Sequence, residues 1–103
     1  MAARIVFTPR SERHLQELQD YITEHSGAQS AEAYVGRIID YCLGLSTFPE
    51  RGRRRDDIRP GLRTLGFERR VMIVFSIESP GVVIHGVFYG GQDFENRLLE
   101  EDD

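Results

Sequence analysis

The candidate acid–base groups in this sequence are His85, Tyr89, Glu68 and Asp93. Metal-free cleavage of a phosphodiester needs a group that helps deprotonate a 2′-hydroxyl and a group that protonates the leaving oxygen. It also needs fixed cations around the charged phosphorane. Arginine suits the last role, because its guanidinium fork matches phosphate. It fails the first two, because its pKa stays above about 12. All 13 basic residues are arginine and none is lysine, so no side-chain amine is present to act as a base or Schiff-base former. If the chain cuts RNA, the proton chemistry falls to Tyr89 and His85, with Arg63 as a phosphate clamp.

Each of these residues also has a plainer reading. Strict strand alternation puts His85 on one face with Val83, Val87 and Tyr89, where a bond to a neighbour would account for it. His14 and His25, eleven residues apart on a predicted helix, read as surface or helix-edge residues. Asp93 reads as the N-cap of a final helix. Cys42, the only cysteine, reads as core. No histidines and acids stand at metal-ligand spacing, so neither a metal nor a cofactor is expected.

The arginines are unevenly placed. Residues 51–70 hold eight of them against Asp56, Asp57 and Glu68, while residues 93–103 hold six acids against Arg97. The net charge of −4 argues against simple electrostatic capture of nucleic acid, and no sequence-specific DNA binding is expected of this chain. Arg53 to Arg55 and Arg59 read either as a solvated loop or as contacts to an acidic partner or a phosphate. Arg63 lies within a predicted strand, where a long cation needs a reason, and Arg69 and Arg70 follow at its far end. Gly90 and Gly91 beside Tyr89, Gln92 and Asp93 permit positive φ and close approach of another chain.

The elements that must position these residues follow from pattern. Ala3 to Thr8 reads as a strand. Thr8 is a fair N-cap and Pro9 sits at the first helical position. Leu15, Leu18 and Ile22 give the first helix an apolar stripe, and Gly27 ends it. Ser26 to Gln29 matches a capping box for a second helix. Its apolar face comprises Tyr34, Val35, Ile38, Ile39, Cys42, Leu43 and Leu45, and Phe48-Pro49 stops it. Residues 50–60 read as a connecting loop. Three strands follow, Leu62 to Glu68, Val71 to Ile77 and Val82 to Tyr89, with a turn at Pro80-Gly81. The middle run is apolar enough for a central strand buried on both faces. Asp93 to Leu99 reads as a short closing helix and Glu100 to Asp103 as a frayed acidic tail.

The expected architecture is α+β: a strand, a two-helix hairpin, then a three-stranded antiparallel meander. The first strand joins the meander's sheet and the helices pack on one face. The 103 residues suit one domain spanning 1–103. A single cysteine allows no internal disulfide, and no apolar run approaches the roughly 20 residues of a membrane helix. A cytoplasmic protein with no membrane association is the expectation.

This order resembles the RelE/ParE superfamily of toxins from bacterial type II toxin–antitoxin modules. The residues that carry the resemblance are Leu45 to Gly52 (LSTFPERG), Ile58 to Arg63 (IRPGLR), the apolar strand after them, and Val87 to Asp93 (VFYGGQD). The Pro49–Gly52 and Gly61–Arg63 segments look more like the ParE branch. At the closing motif Tyr89 stands where ParE-like chains usually carry histidine, and Gln92 where they carry arginine, while Asp93 is kept. In the RNA-cleaving RelE branch, that arginine and a later tyrosine help cut messenger RNA in the ribosome. The matching positions here are Gln92 and Leu98, and the lysines of that branch are missing.

The resemblance implies a ParE-like toxin that inhibits DNA gyrase by binding, needs no catalytic constellation, and is neutralised by a ParD-like antitoxin. The residues expected to touch target or antitoxin are Arg53, Arg59, Arg63, Arg69, Arg70, Tyr89, Gln92 and Asp93. Two alternatives stand beside it: a RelE-like ribosome-dependent endonuclease, and a non-toxic chain that only binds an antitoxin.

Overall fold

A computed structural model describes residues 4–78, 81–90 and 96. The expected closing helix apart from residue 96, the acidic tail, Gln92, Asp93 and Pro80 of the Pro80-Gly81 turn lie outside the described residues.

Strand β1 (Arg4–Phe7) leads into helix α1 (Pro9–Ser26) through Thr8. Thr8 acts in both elements. Its N–H donates to the Ile84 carbonyl at 3.1 Å, extending the strand ladder, and its hydroxyl accepts the Ser11 N–H at 3.1 Å, capping the helix. Pro9 fills the first turn, where no N–H is needed. Helix α2 (Ala28–Leu43) begins after a single linking residue, Gly27, at φ 98°. A residue with a Cβ is disfavoured there. Ser26 is the last residue of α1, and no side chain caps α2, which corrects the capping-box expectation. The chain leaves α2 through a single 3₁₀ turn, Gly44–Ser46, that buries Leu45 and leaves Leu43 exposed, which corrects its place in the expected apolar face.

Residues 50–60 are less plain than a loop. Arg53–Arg54 form a two-residue edge strand, β2. Gly52, at φ 77°, lets the backbone pass so close to Thr64 that a Cβ would run into its carbonyl oxygen. Strands β3 (Leu62–Phe67), β4 (Val71–Glu78) and β5 (Gly81–Tyr89) complete the sheet, in the order β1-β5-β4-β3-β2. β1 pairs parallel with β5; the other pairs are antiparallel.

The helix hairpin covers one face. Leu15 and Leu18 of α1 and Val35, Ile38 and Cys42 of α2 pack with Ile73, Phe75, Ile84 and Val87. Side chains such as Phe75 and Ile38, both 0% exposed, each contribute about 1.5–3 kcal/mol by leaving water. A smaller cluster of Leu62, Val74 and Phe88 lies on the other face, with Ile58 and Met72 against it. β4 is therefore buried on both sides, as its run of apolar residues predicts.

Candidate functional site

The groove between the helix hairpin and one end of the sheet is built from aromatic residues. Tyr21 of α1, Tyr34 of α2 and Tyr89 at the end of β5 converge there, with ring centroids 6.1 Å apart for Tyr21–Tyr89 and 6.2 Å for Tyr34–Tyr89. The row continues through Phe67 to Tyr41, at 6.2 Å and 4.9 Å, and ends where the Arg51 guanidinium lies 5.3 Å above the Tyr41 ring. Two adjoining hollows open along it, of about 460 and 630 Å³, and both are lined by Tyr21 and Tyr89.

Arg37 reaches from α2 to the far end of β3. It donates two bonds to the Glu68 carboxylate, at 3.1 and 3.2 Å, while its guanidinium sits 5.1 Å from the Tyr34 ring centre. Glu68 and Arg69 form the tip of the β3–β4 hairpin with φ of 49° and 62°. Positive φ at two consecutive non-glycine residues is the backbone signature of a turn that favours Asn-Gly. That strained tip brings Glu68 to Arg37 and Arg70 to Tyr89. Tyr89 is the main cause that holds the pKa of Arg70 above its ordinary value. The Tyr34 hydroxyl is buried without a hydrogen-bond partner among the described residues. Burial is the main cause that raises its pKa, followed by Tyr89 and Glu68.

The structure separates the residues that sequence reading grouped for RNA cleavage. Val74 of β4 pairs with Gly86 but the next residue, Phe75, pairs with Ile84, so His85 is an extra residue in β5. This bulge resets the alternation. Val87 and Tyr89 join the helix-side core with Ile84, whereas His85 turns to the opposite face. There its Nε2 lies 2.8 Å from Ser76 Oγ, and the Ser76 hydroxyl donates to Glu78 at 2.7 Å. His85 therefore does not share a face with Tyr89, contrary to strict alternation.

Arg63 is on the helix-side face, at the opposite end of β3 from Arg70, and donates to the Arg51 carbonyl at 3.4 Å. Arg53 pairs with Thr64 and is exposed on the other face. Arg59 and Arg69 are exposed in turns. Of the described residues expected to form the site, only Tyr89 and Arg70 meet in the groove. Tyr21, Tyr34, Arg37 and Tyr41 were not singled out as site residues. The spacing of tyrosines on the two helices was the available signal, and it reads equally well as core.

His14 is a second correction. It is 4% exposed, not a surface residue. Its Nδ1 accepts the Val87 N–H at 3.1 Å, and its ring tilts against Phe88 at 4.8 Å. Where β1 stops at Phe7, β5 continues with its edge uncovered by a strand, and α1 runs along it. The imidazole takes the backbone donor that no strand reaches. His25 is exposed, as expected.

Among the described residues no group of histidines, cysteines and acids is arranged to hold a metal ion. No helix among them is long and apolar enough to cross a membrane.

An antiparallel meander closed by a parallel N-terminal strand, with a helix hairpin on one face, is the RelE/ParE architecture. A chain from the chromosomal ParDE toxin–antitoxin system of Pseudomonas aeruginosa superposes with a TM-score of 0.76 at 21% identity, covering 86% of this chain and 97% of that one. A chain of the RelBE2 toxin–antitoxin complex of Mycobacterium tuberculosis gives 0.62 at 18% identity, covering 86% and 99%. The family model for the ParE toxin of the type II toxin–antitoxin system matches residues 5–94. Toxin ParE3 of Caulobacter vibrioides is 32% identical over 77 residues, 75% of this chain and 76% of that protein. Toxin ParE1 of Mycobacterium tuberculosis is 32% identical over 65 residues, 63% and 66% respectively. This chain belongs to the ParE toxin family of type II toxin–antitoxin systems.

Proposed function

We propose that this chain is a cytoplasmic toxin that acts by binding and inhibiting DNA gyrase, and that a ParD-like antitoxin neutralises it by occupying the aromatic groove. The observation that carries the binding reading is the separation of His85 from Tyr89. Proton-transfer groups on opposite faces of one sheet have no common substrate position. The groove, by contrast, has what an amphipathic helix needs: aromatic walls, a hollow of about 630 Å³ and arginines at its rim. That the Pseudomonas aeruginosa neighbour comes from a ParDE toxin–antitoxin system supports an antitoxin partner of that kind.

One observation favours the endonuclease alternative. The Tyr89 phenol beside the Arg70 guanidinium sets a hydroxyl next to a cation whose fork suits phosphate. Antitoxin-free protein added to a gyrase supercoiling reaction, and separately to translating ribosomes, decides between them. Inhibited supercoiling with intact messenger RNA is the expected result. Unimpaired supercoiling at micromolar toxin rejects the gyrase reading. Co-expression with a ribbon-helix-helix protein encoded beside the chain tests neutralisation, and Tyr89→Ala is expected to weaken that complex.

A further inference from the structure

At the end of β3 opposite Arg70, two arginines face each other. The β2–β3 ladder pairs Arg54 directly with Arg63. Like charges at directly opposed positions of an antiparallel pair repel. Both side chains line one hollow of about 410 Å³, together with Pro49, Glu50, Gly61 and Ile77. Arg63 donates only to the Arg51 carbonyl and has no ion pair among the described residues. Arg54 meets Asp56 at 3.1 Å, and its side chain is 69% exposed. Ile77 is exposed in the same hollow, and Phe48, just before Pro49, is 68% exposed. Arg53, one residue away, falls on the opposite face by strand alternation.

We infer that this corner is a carboxylate seat for an acidic peptide, with one carboxylate held between the guanidiniums of Arg54 and Arg63 and an apolar neighbour laid on Ile77. A bound anion removes the repulsion that the strand register imposes, and each guanidinium offers a charge-assisted pair of N–H donors. The chemistry selects peptide over nucleic acid. A polyphosphate brings a charge at every step towards a chain whose net charge is −4 and whose hollow has Glu50 on its wall. A peptide can carry one carboxylate among apolar residues that match Ile77 and Pro49. The seat rests on the antitoxin reading only for the source of the peptide; its existence is a property of this chain.

The test is fluorescence polarisation at low salt with the purified chain. The probe is a fluorescein-labelled peptide of alternating leucine and glutamate. A leucine–glutamine version and an oligothymidylate of similar length serve as comparisons. The glutamate peptide is expected to bind and the glutamine peptide not to. Arg63→Ala and Arg54→Ala are each expected to weaken binding about tenfold, the scale of one lost hydrogen bond to a charged group. Arg53→Ala, which removes the same charge from the other face, is expected to change affinity less than twofold. Circular dichroism confirms that each variant is folded, and Arg54→Ala serves if Arg63→Ala does not fold. Equal losses for Arg53→Ala and Arg54→Ala overturn the seat in favour of diffuse electrostatics. Tighter binding of the oligothymidylate overturns it in favour of phosphate. No glutamate-peptide binding, in a chain whose growth arrest an antitoxin still relieves, rejects the seat and leaves the antitoxin reading standing.

Discussion

His14 Nδ1 accepts the backbone N–H of Val87 across 73 residues of sequence, so a side chain of α1 completes the edge of β5. Replacing it strands that donor and opens a gap beside Phe88. His14→Ala is expected to lower stability by about 2–4 kcal/mol, from a buried unsatisfied group together with lost packing. Urea unfolding monitored by circular dichroism measures it. A loss below about 0.5 kcal/mol would show the contact to be incidental.

The hairpin tip gives a gain instead of a loss. Arg69 has a φ of 62°, a conformation that costs a side-chain-bearing residue about 1–2 kcal/mol and glycine almost nothing. Arg69→Gly is expected to stabilise the free chain by about 0.5–1 kcal/mol, part of the relief being offset by the greater freedom of glycine in the unfolded state. Thermal unfolding of the two proteins side by side is the measurement. Glu68 must stay, because it pairs with Arg37.

Tyr34→Phe removes a hydroxyl that is buried and has no hydrogen-bond partner among the described residues. Since no bond is lost and a polar group no longer has to leave water, stability is expected to be unchanged or higher by up to about 1 kcal/mol. A clear destabilisation in urea would mean that the hydroxyl is satisfied in solution.

Cys42 is 0% exposed, and burial pushes its thiol from 9.0 up to about 12. The folded state therefore keeps a proton that the unfolded chain has lost. The thiol's contribution is complete below pH 9 and declines as pH rises from there towards 12, by about 1.4 kcal/mol per pH unit at most. Iodoacetamide at pH 8 is expected to leave the native thiol unmodified and to alkylate it in denaturant, read by mass spectrometry. Cys42→Ala should flatten the alkaline fall in stability. Rapid labelling of the native chain would contradict the burial.

Gly52 tests the edge strand. Its φ of 77° and its approach to the Thr64 backbone leave no room for a Cβ. Gly52→Ala is expected to cost about 1–3 kcal/mol and to free β2 from β3. Hydrogen exchange should show faster exchange along the β2–β3 ladder while the helices stay protected. Unchanged exchange there would mean that the backbone can shift without losing the pairing.

The elements were legible where periodicity alone decides. The stripe of Leu15 and Leu18, the Thr8 cap and the apolar run of β4 all point directly to what the structure contains. Other features depend on partners distant in sequence. A helical wheel cannot show that His14 lies against an uncovered strand edge, and a period of two cannot reveal that a bulge turns His85 from the face of Val87 and Tyr89. Gly27 displaced the capping box because one residue had to close both helices. The groove was hardest to see, because Tyr21, Tyr34 and Tyr89 become neighbours only after the chain has folded back on itself.

That folding back also fixes when the groove is complete. β1 pairs with β5, Val6 opposite Val83, and Tyr89 supplies the last wall of the groove. While the chain is being synthesised, at about 5–20 residues per second, the first strand and the helix hairpin have no sheet to dock on and the groove lacks a side. The groove is therefore complete only once residue 89 has emerged, and its assembly is one late step.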